Sequence, residues 1–319
     1  MKVWIIGSGG LLGRSIEQYV AGSAEVFSPE YKFDWNNSTI VSRQIADSCK
    51  LFFGQVAQDQ WAIFWCAGRG TLNSSTAQMH EENLVFENLL HAIGAVSSPS
   101  IQRQGVIFFA SSAGAVYAGS KNPPFTEMTL TKSLTPYGDA KIHQEASLKD
   151  LAGRLGIRVL VGRISNIYGA RQDLAKNQGL IATICYSVLR RQPVNLFVPL
   201  ETSRNYIYVE DVARRIVTHT RKMLESDSVE KFRIKLIVAS DNLTIGSILN
   251  IARSVLRTRP LITVSTNKHG SSQPQSLVFK SVVDTSLDID SATGFTVGMK
   301  RVMTDLQAAF LRTGWQKSS

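Results

Sequence analysis

"IIGSGGLLGRSI", residues 5–16, sets Gly7, Gly10 and Gly13 three residues apart, between an apolar run and a segment of helical period. Glycine permits the tight turn, lets a backbone approach a pyrophosphate and lets the helix pack on the strand. The helix N-terminus then offers free N–H groups and positive potential. As the chain's first strand-to-helix turn, the stretch predicts a dinucleotide site formed by Gly7, Gly10, Leu11, Leu12 and Gly13. A merely structural glycine turn is the competing reading.

Working outward, apolar runs of strand length alternate with longer segments of helical period. Strands are predicted at 2–6, 24–28, 61–68, 105–112 and 157–165, with helical segments at 11–20, within 38–57, at 82–96 and at 137–155. That alternation predicts a Rossmann-type, doubly wound parallel α/β sheet. After Gly169 the pattern loosens, with helical period again near 179–191, 243–256 and 298–311. We expect a dinucleotide-binding domain over 1–168 and a smaller C-terminal α/β substrate lobe over 169–319, some of whose segments return to the main sheet. "TNKHGSSQPQ", 266–275, is the expected mobile loop.

The 319 residues carry a net charge of +10, yet the basic residues are scattered, with no run longer than two and no interleaved aromatics. This pattern argues against nucleic acid and suits an anionic small molecule. Cys49, Cys66 and Cys185 are too few and too far apart for a disulfide framework or a zinc site, and no metal is expected. The opening apolar run is too short for a signal peptide, and no stretch is long enough for a membrane span, so the expected location is cytoplasmic.

Cofactor preference is open. The second strand ends at Ser28, where a carboxylate would bond the adenine ribose; Glu30 could serve instead, and Arg14 or Lys32 could meet a 2′-phosphate. NAD or NADP both fit, with NAD favoured. Further along, "TPYGDAKIHQE" sets Tyr137 and Lys141 four apart, which on a helix places both on one face about 6 Å apart. A phenol is a poor base at neutral pH, and a neighbouring ammonium favours its phenolate form, as proton transfer coupled to hydride transfer requires.

With the Gly7-Gly10-Gly13 turn, "CAG" at 66–68, Asn83, "SSAGAVY" at 111–117, Tyr137 and Lys141, "GRISNIYGARQ" at 162–172 and "SRNYIYVEDVA" at 203–213, the chain resembles the extended short-chain dehydrogenase/reductase family, in its nucleotide-sugar epimerase and dehydratase group. The resemblance spans nearly the whole chain. It implies that Ala67, Gly68 and Asn83 line the cofactor path, and that Lys141 bonds the nicotinamide ribose while tuning Tyr137. It also implies that Asn166 and Arg204 contact a nucleotide diphosphate, although Arg204 could instead form a salt bridge with Glu210 or Asp211. A homodimer through the two long helices near 82–96 and 137–155 is a further expectation from the resemblance.

Relatives usually carry a catalytic Ser or Thr four residues before the tyrosine of the Val-Tyr motif; here that position is Ala113. Ser112, re-aimed by a bulge beside Gly114, is the expected hydroxyl donor, ahead of Ser111 or no hydroxyl at all. Dehydratase relatives place an Asp-Glu pair where this chain has Gly114 and Ala115, and the groups used for decarboxylation or C3/C5 inversion are likewise missing. The resemblance therefore implies C4 epimerisation of a nucleotide-diphospho-sugar by oxidation and hydride return, or one-way reduction of a 4-keto sugar. A non-catalytic NAD(P)-binding regulatory or nucleic-acid-binding protein is the remaining alternative.

Overall fold

Residues 1–56, 59–174, 179–226, 229–264, 274–288 and 292–313 are described by a computed structural model. Most of the predicted mobile loop, 266–273, lies outside these residues. The first half runs β1 (Lys2–Ile6), α1 (Leu11–Val20), β2 (Glu25–Phe27), α2 (Ser38–Val56), β3 (Trp61–Trp65), α3 (Thr76–Val96), α4 (Pro99–Arg103), β4 (Gly105–Ser112), α5 (Ala113–Val116), α6 (Pro136–Leu155) and β5 (Arg158–Ile164). Then follow β6 (Asn166–Tyr168), α7 (Leu180–Arg190), β7 (Val194–Leu196), β8 (Ser203–Tyr208), α8 (Val209–Glu225), β9 (Phe232–Ile237), β10 (Asn242–Thr244), α9 (Ile245–Leu256), β11 (Ile262–Val264), β12 (Ser276–Leu277), a 3-10 turn at Thr285–Asp288, and α10 (Phe295–Thr313).

Six parallel strands form the main sheet in the order β2-β1-β3-β4-β5-β9. Their side chains alternate between two faces. Trp4, Ile63, Ile107 and Val159 pack with Phe52, Phe86 and Leu148 of α2, α3 and α6, whereas Val3, Phe64, Phe108 and Leu160 pack with Ile16 and Ile216 of α1 and α8. With both faces covered, the strands read as continuous apolar runs. The chain leaves β1 toward β2, then returns past β1 to β3, so the loops after β1 and β3 diverge. Ligands bind at such a switch point in open α/β sheets.

α3 begins six residues before the predicted 82, because Ser75 and Gln78 form a reciprocal capping box that extends the helix upstream. A second sheet centres on β8, which pairs with β6, β10 and β12. Its helices α7, α9 and α10 bury Ile181, Cys185, Ile248, Met299 and Val302. β9 and α8, both from beyond residue 169, join the main sheet and its back face.

At the β9 edge, fully buried Lys235 donates to Ser281 Oγ, the Val283 carbonyl and Asp288, which also meets His219 at 3.1 Å. Burial opposes the Asp288 charge. Hydrogen bonds from His219 and Lys235, with the charges of Lys235 and Arg215, outweigh burial and hold the carboxyl below its ordinary value. The unfolded chain therefore binds this proton more readily. The contribution to stability is complete above the ordinary carboxylate range and is lost as pH falls through the depressed value. Asp288→Asn should lower Tm at neutral pH and flatten the loss of stability below about pH 5 in thermal melts. Acid limbs parallel to those of the unsubstituted protein would contradict this.

Candidate active site

The turn after β1 is built as its glycines require. Gly7 adopts φ +92°, and a Cβ there would lie 2.6 Å from the Ala67 amide nitrogen; a Cβ on Gly13 would lie 2.3 Å from the Gly7 carbonyl oxygen. The Gly10 amide donates to that carbonyl at 3.0 Å. Gly10 is the N-cap of α1, with no side-chain cap and no acidic residue in the first turn, so the leading amides, Leu11 and Leu12 among them, suit an anion. Across the crevice, Cys66 N donates to the Ile6 carbonyl at 2.8 Å and places Ala67 and Gly68 opposite the turn.

Tyr137 and Lys141 share a face of α6, with Lys141 Nζ 5.7 Å from the Tyr137 ring centre and 4.9 Å from that of Phe109. Thr135 caps α6 through the Gly138 amide, and Pro136 opens its first turn. Lys141 is buried; its ammonium donates to Gln144 Oε1 at 3.1 Å, and Gln144 Nε2 donates to Asn83 Oδ1 at 2.9 Å. Asn83 thus reaches Lys141 through Gln144. Gly70 lies against the Tyr137 ring, where a Cβ would come within 2.8 Å of Cδ2.

β4 stays in continuous register with β5 through Ser112, and the one-turn helix α5 follows where a bulge was expected. Strand alternation sends Ser111 toward α6, where its hydroxyl donates to Glu145 Oε1 at 2.6 Å. Ser112 is the N-cap of α5 and accepts from the Ala115 amide at 3.4 Å. Ala113 is fully buried in an apolar cluster with Tyr117, Phe125 and Phe279, which accounts for the absence of a hydroxyl there. Glu145 also pairs with Arg163 at 2.6 Å, and Arg163 donates to the Tyr117 hydroxyl. Burial alone would lower the Arg163 guanidinium, but the bond to Glu145 and its charge more than offset this and raise it.

The β6–β8 pairing brings Asn166 beside β8, with its Nδ2 donating to the Asn205 carbonyl at 2.9 Å. Arg204, two residues before Asn166's partner Tyr206, is buried and donates to the Ser203 and Gln275 carbonyls at 2.9 and 3.5 Å. Burial lowers its guanidinium. The alternative salt bridges do not form in the structure described: Glu210 pairs with Arg301 and Asp211 with Arg214. Asn205 is a buried hub that the sequence reading missed; it bonds Ser165, Ala239, Asp241 and Asn242. Ser28 is exposed just past β2, as are Glu30 and Lys32, while Arg14 donates to the Arg171 carbonyl at 3.1 Å.

A pocket of about 420 Å³ opens where α2 and α3 begin, lined by Trp35, Asn36, Trp65, Gly68, Arg69 and Met79. A larger cavity of about 740 Å³, between α6 and Lys231–Ile234, lies where β9 begins, at the end of the sheet opposite the switch-point loops. Among the described residues, no group of three or more His, Cys, Asp or Glu could hold a metal, and no helix is long and apolar enough to cross a membrane.

A doubly wound parallel sheet, a glycine turn at its switch point and a helix-borne Tyr-Lys pair together define the extended short-chain dehydrogenase/reductase class. The chain belongs to the NAD dependent epimerase/dehydratase family, whose profile matches residues 3–234. It is 32% identical over 136 residues to a putative UDP-glucose 4-epimerase of Methanocaldococcus jannaschii, covering 42% of this chain and 45% of that protein. It is 33% identical over 108 residues to a dTDP-4-dehydro-6-deoxyglucose reductase of Escherichia coli, covering 34% of each. The chain thus matches less than half the length of these curated relatives. Among solved structures, it resembles a UDP-glucose 4-epimerase of Thermotoga maritima with UDP-glucose, at TM-score 0.77 and 18% identity over 97% of this chain and 100% of that one. A UDP-glucose 4-epimerase of Thermus thermophilus in complex with NAD gives TM-score 0.76 at 20% identity, with the same coverage.

Proposed function

We propose that the protein is a nucleotide-diphospho-sugar C4 epimerase serving glycan precursor synthesis, with 1–168 holding the dinucleotide and 169–319 mainly the sugar nucleotide. The observation that carries this reading is the pairing of Tyr137 with buried Lys141 at a strand end where Gly114 and Ala115 supply no second acid or base. The cradle of Gly7, Gly10 and Gly13 fits a pyrophosphate, and the 420 Å³ pocket beside Trp35 fits an adenine ring. A bound nicotinamide would supply the acceptor, and then the donor, of the hydride at sugar C4. Tyr137 accepts the O4 proton during oxidation and gives it back on reduction, and Lys141 stabilises its phenolate. Ser112 donates a hydrogen bond to O4, and Asn166 and Arg204 hold the diphosphate, for which a guanidinium fork is suited. The protein acts as a homodimer through α3 and α6.

The one-way 4-keto-sugar reductase is the second reading, favoured by the match to the Escherichia coli reductase and by a second strand that ends without a carboxylate. Mass spectrometry of nucleotide released on denaturation, followed by assay of UDP-, GDP- and dTDP-sugars, tests both. Retained NAD with formation of the C4 epimer, without added cofactor, is the expected result. An empty site with NADPH-dependent loss of a 4-keto sugar would select the reductase, and no turnover of any sugar nucleotide would sink both.

A further inference from the structure

Beside Tyr137, one carboxylate has only half of its hydrogen bonding completed within the described residues. Glu82 Oε2 accepts from the amides of Arg69 and Gly70, both at 2.9 Å, and so fixes the loop that lies on the Tyr137 ring. Glu82 Oε1 has no hydrogen-bond partner, although the side chain is only 11% exposed. Lys141 Nζ stands 3.6 Å from Oε1, beyond hydrogen-bond reach, and spends its nearer contact on Gln144. On the other side is Gly68, where a Cβ would lie 3.2 Å from the same oxygen.

A buried carboxylate oxygen needs a donor, and Lys141, ion-paired with it at 3.6 Å, does not supply one. The donor that a dinucleotide offers between Gly68 and Lys141 is a ribose hydroxyl. We propose that Glu82 Oε1 accepts a hydroxyl of the ribose on the nicotinamide side, making Glu82 a cofactor-binding residue as well as the anchor of the 68–70 loop. The proposal rests on the dinucleotide reading above.

Glu82→Gln keeps one oxygen for the Arg69 and Gly70 amides and replaces the second acceptor by a donor. In fluorescence titrations it should bind NAD about tenfold more weakly than the unsubstituted protein, with affinity for ADP, which lacks the nicotinamide half, unchanged within about twofold. Equal affinity for NAD, or equal losses for NAD and ADP, would overturn the assignment; the latter would leave Glu82 only a loop anchor. If the unsubstituted protein bound neither NAD nor NADP, the dinucleotide reading would fall too. Should the variant not fold, NAD analogues lacking the 2′- or 3′-hydroxyl of the nicotinamide ribose carry the same test on the unsubstituted protein. One of them should lose the same factor of about ten, and undiminished binding of both would overturn the proposal.

Discussion

Tyr137→Phe should reduce kcat by about a thousandfold or more while nucleotide-sugar affinity stays within about threefold. The substitution removes one oxygen from a half-buried ring and leaves the contacts of Gly70 and Lys141 with that ring in place. On the proposed mechanism it removes the acceptor for the O4 proton, so the loss should fall on turnover and not on binding. Unchanged turnover would sink the mechanism. Ser112→Ala divides the remaining roles: as hydroxyl donor it should lower kcat by about a hundredfold. As a helix cap alone it should cost about 1 kcal/mol of stability, seen in denaturant melts, with kcat unaffected.

The largest expected effect on stability lies about two turns beyond Tyr137 along α6. Glu145→Leu should destabilise the fold by about 3–5 kcal/mol, because Arg163 then keeps a buried charge without its counter-charge. Replacing both, Glu145→Leu with Arg163→Met, should recover most of that loss in urea denaturation, since a buried pair and an apolar pair of similar volume are close in stability. Tyr117 and Ser111, which lose their bonds to the pair in the double variant, set the residue of the effect. Equal losses in the single and double variants would show that the charges are not coupled as the geometry requires.

Local chemistry made much of this molecule legible. The strands at 2–6 and 105–112 and the helix at 11–20 follow from runs of apolar residues and from the glycines at their boundaries, Gly7 after the first strand, Gly10 before the helix and Gly105 at the start of the later strand. The earlier start of α3 was also written in the chain, as the Ser75 and Gln78 capping pair. Tyr137 and Lys141 could be paired because four residues make one helical turn. Glu82, Glu145 and Asn205 could not be read in the same way. Their partners Lys141, Arg163 and Ala239 are far along the chain, and an isolated acid or amide is ordinarily a solvated surface residue. Gln144 was within reach, since it lies seven residues after Tyr137 on the same helical face.

The main sheet takes its last strand, β9, from a part of the chain made long after the crevice-lining segments. Buried Glu127 shows what this means in time. Its carboxylate accepts from Leu236 N at 2.9 Å, Ser281 Oγ at 2.6 Å and Val282 N at 2.9 Å, partners more than a hundred residues downstream. During synthesis, at roughly 5–20 residues per second, that carboxylate and the open edge of β5 wait several seconds for their partners to leave the ribosome. The nascent intermediate therefore carries an unpaired strand edge, a template on which another chain can pair until β9 is added.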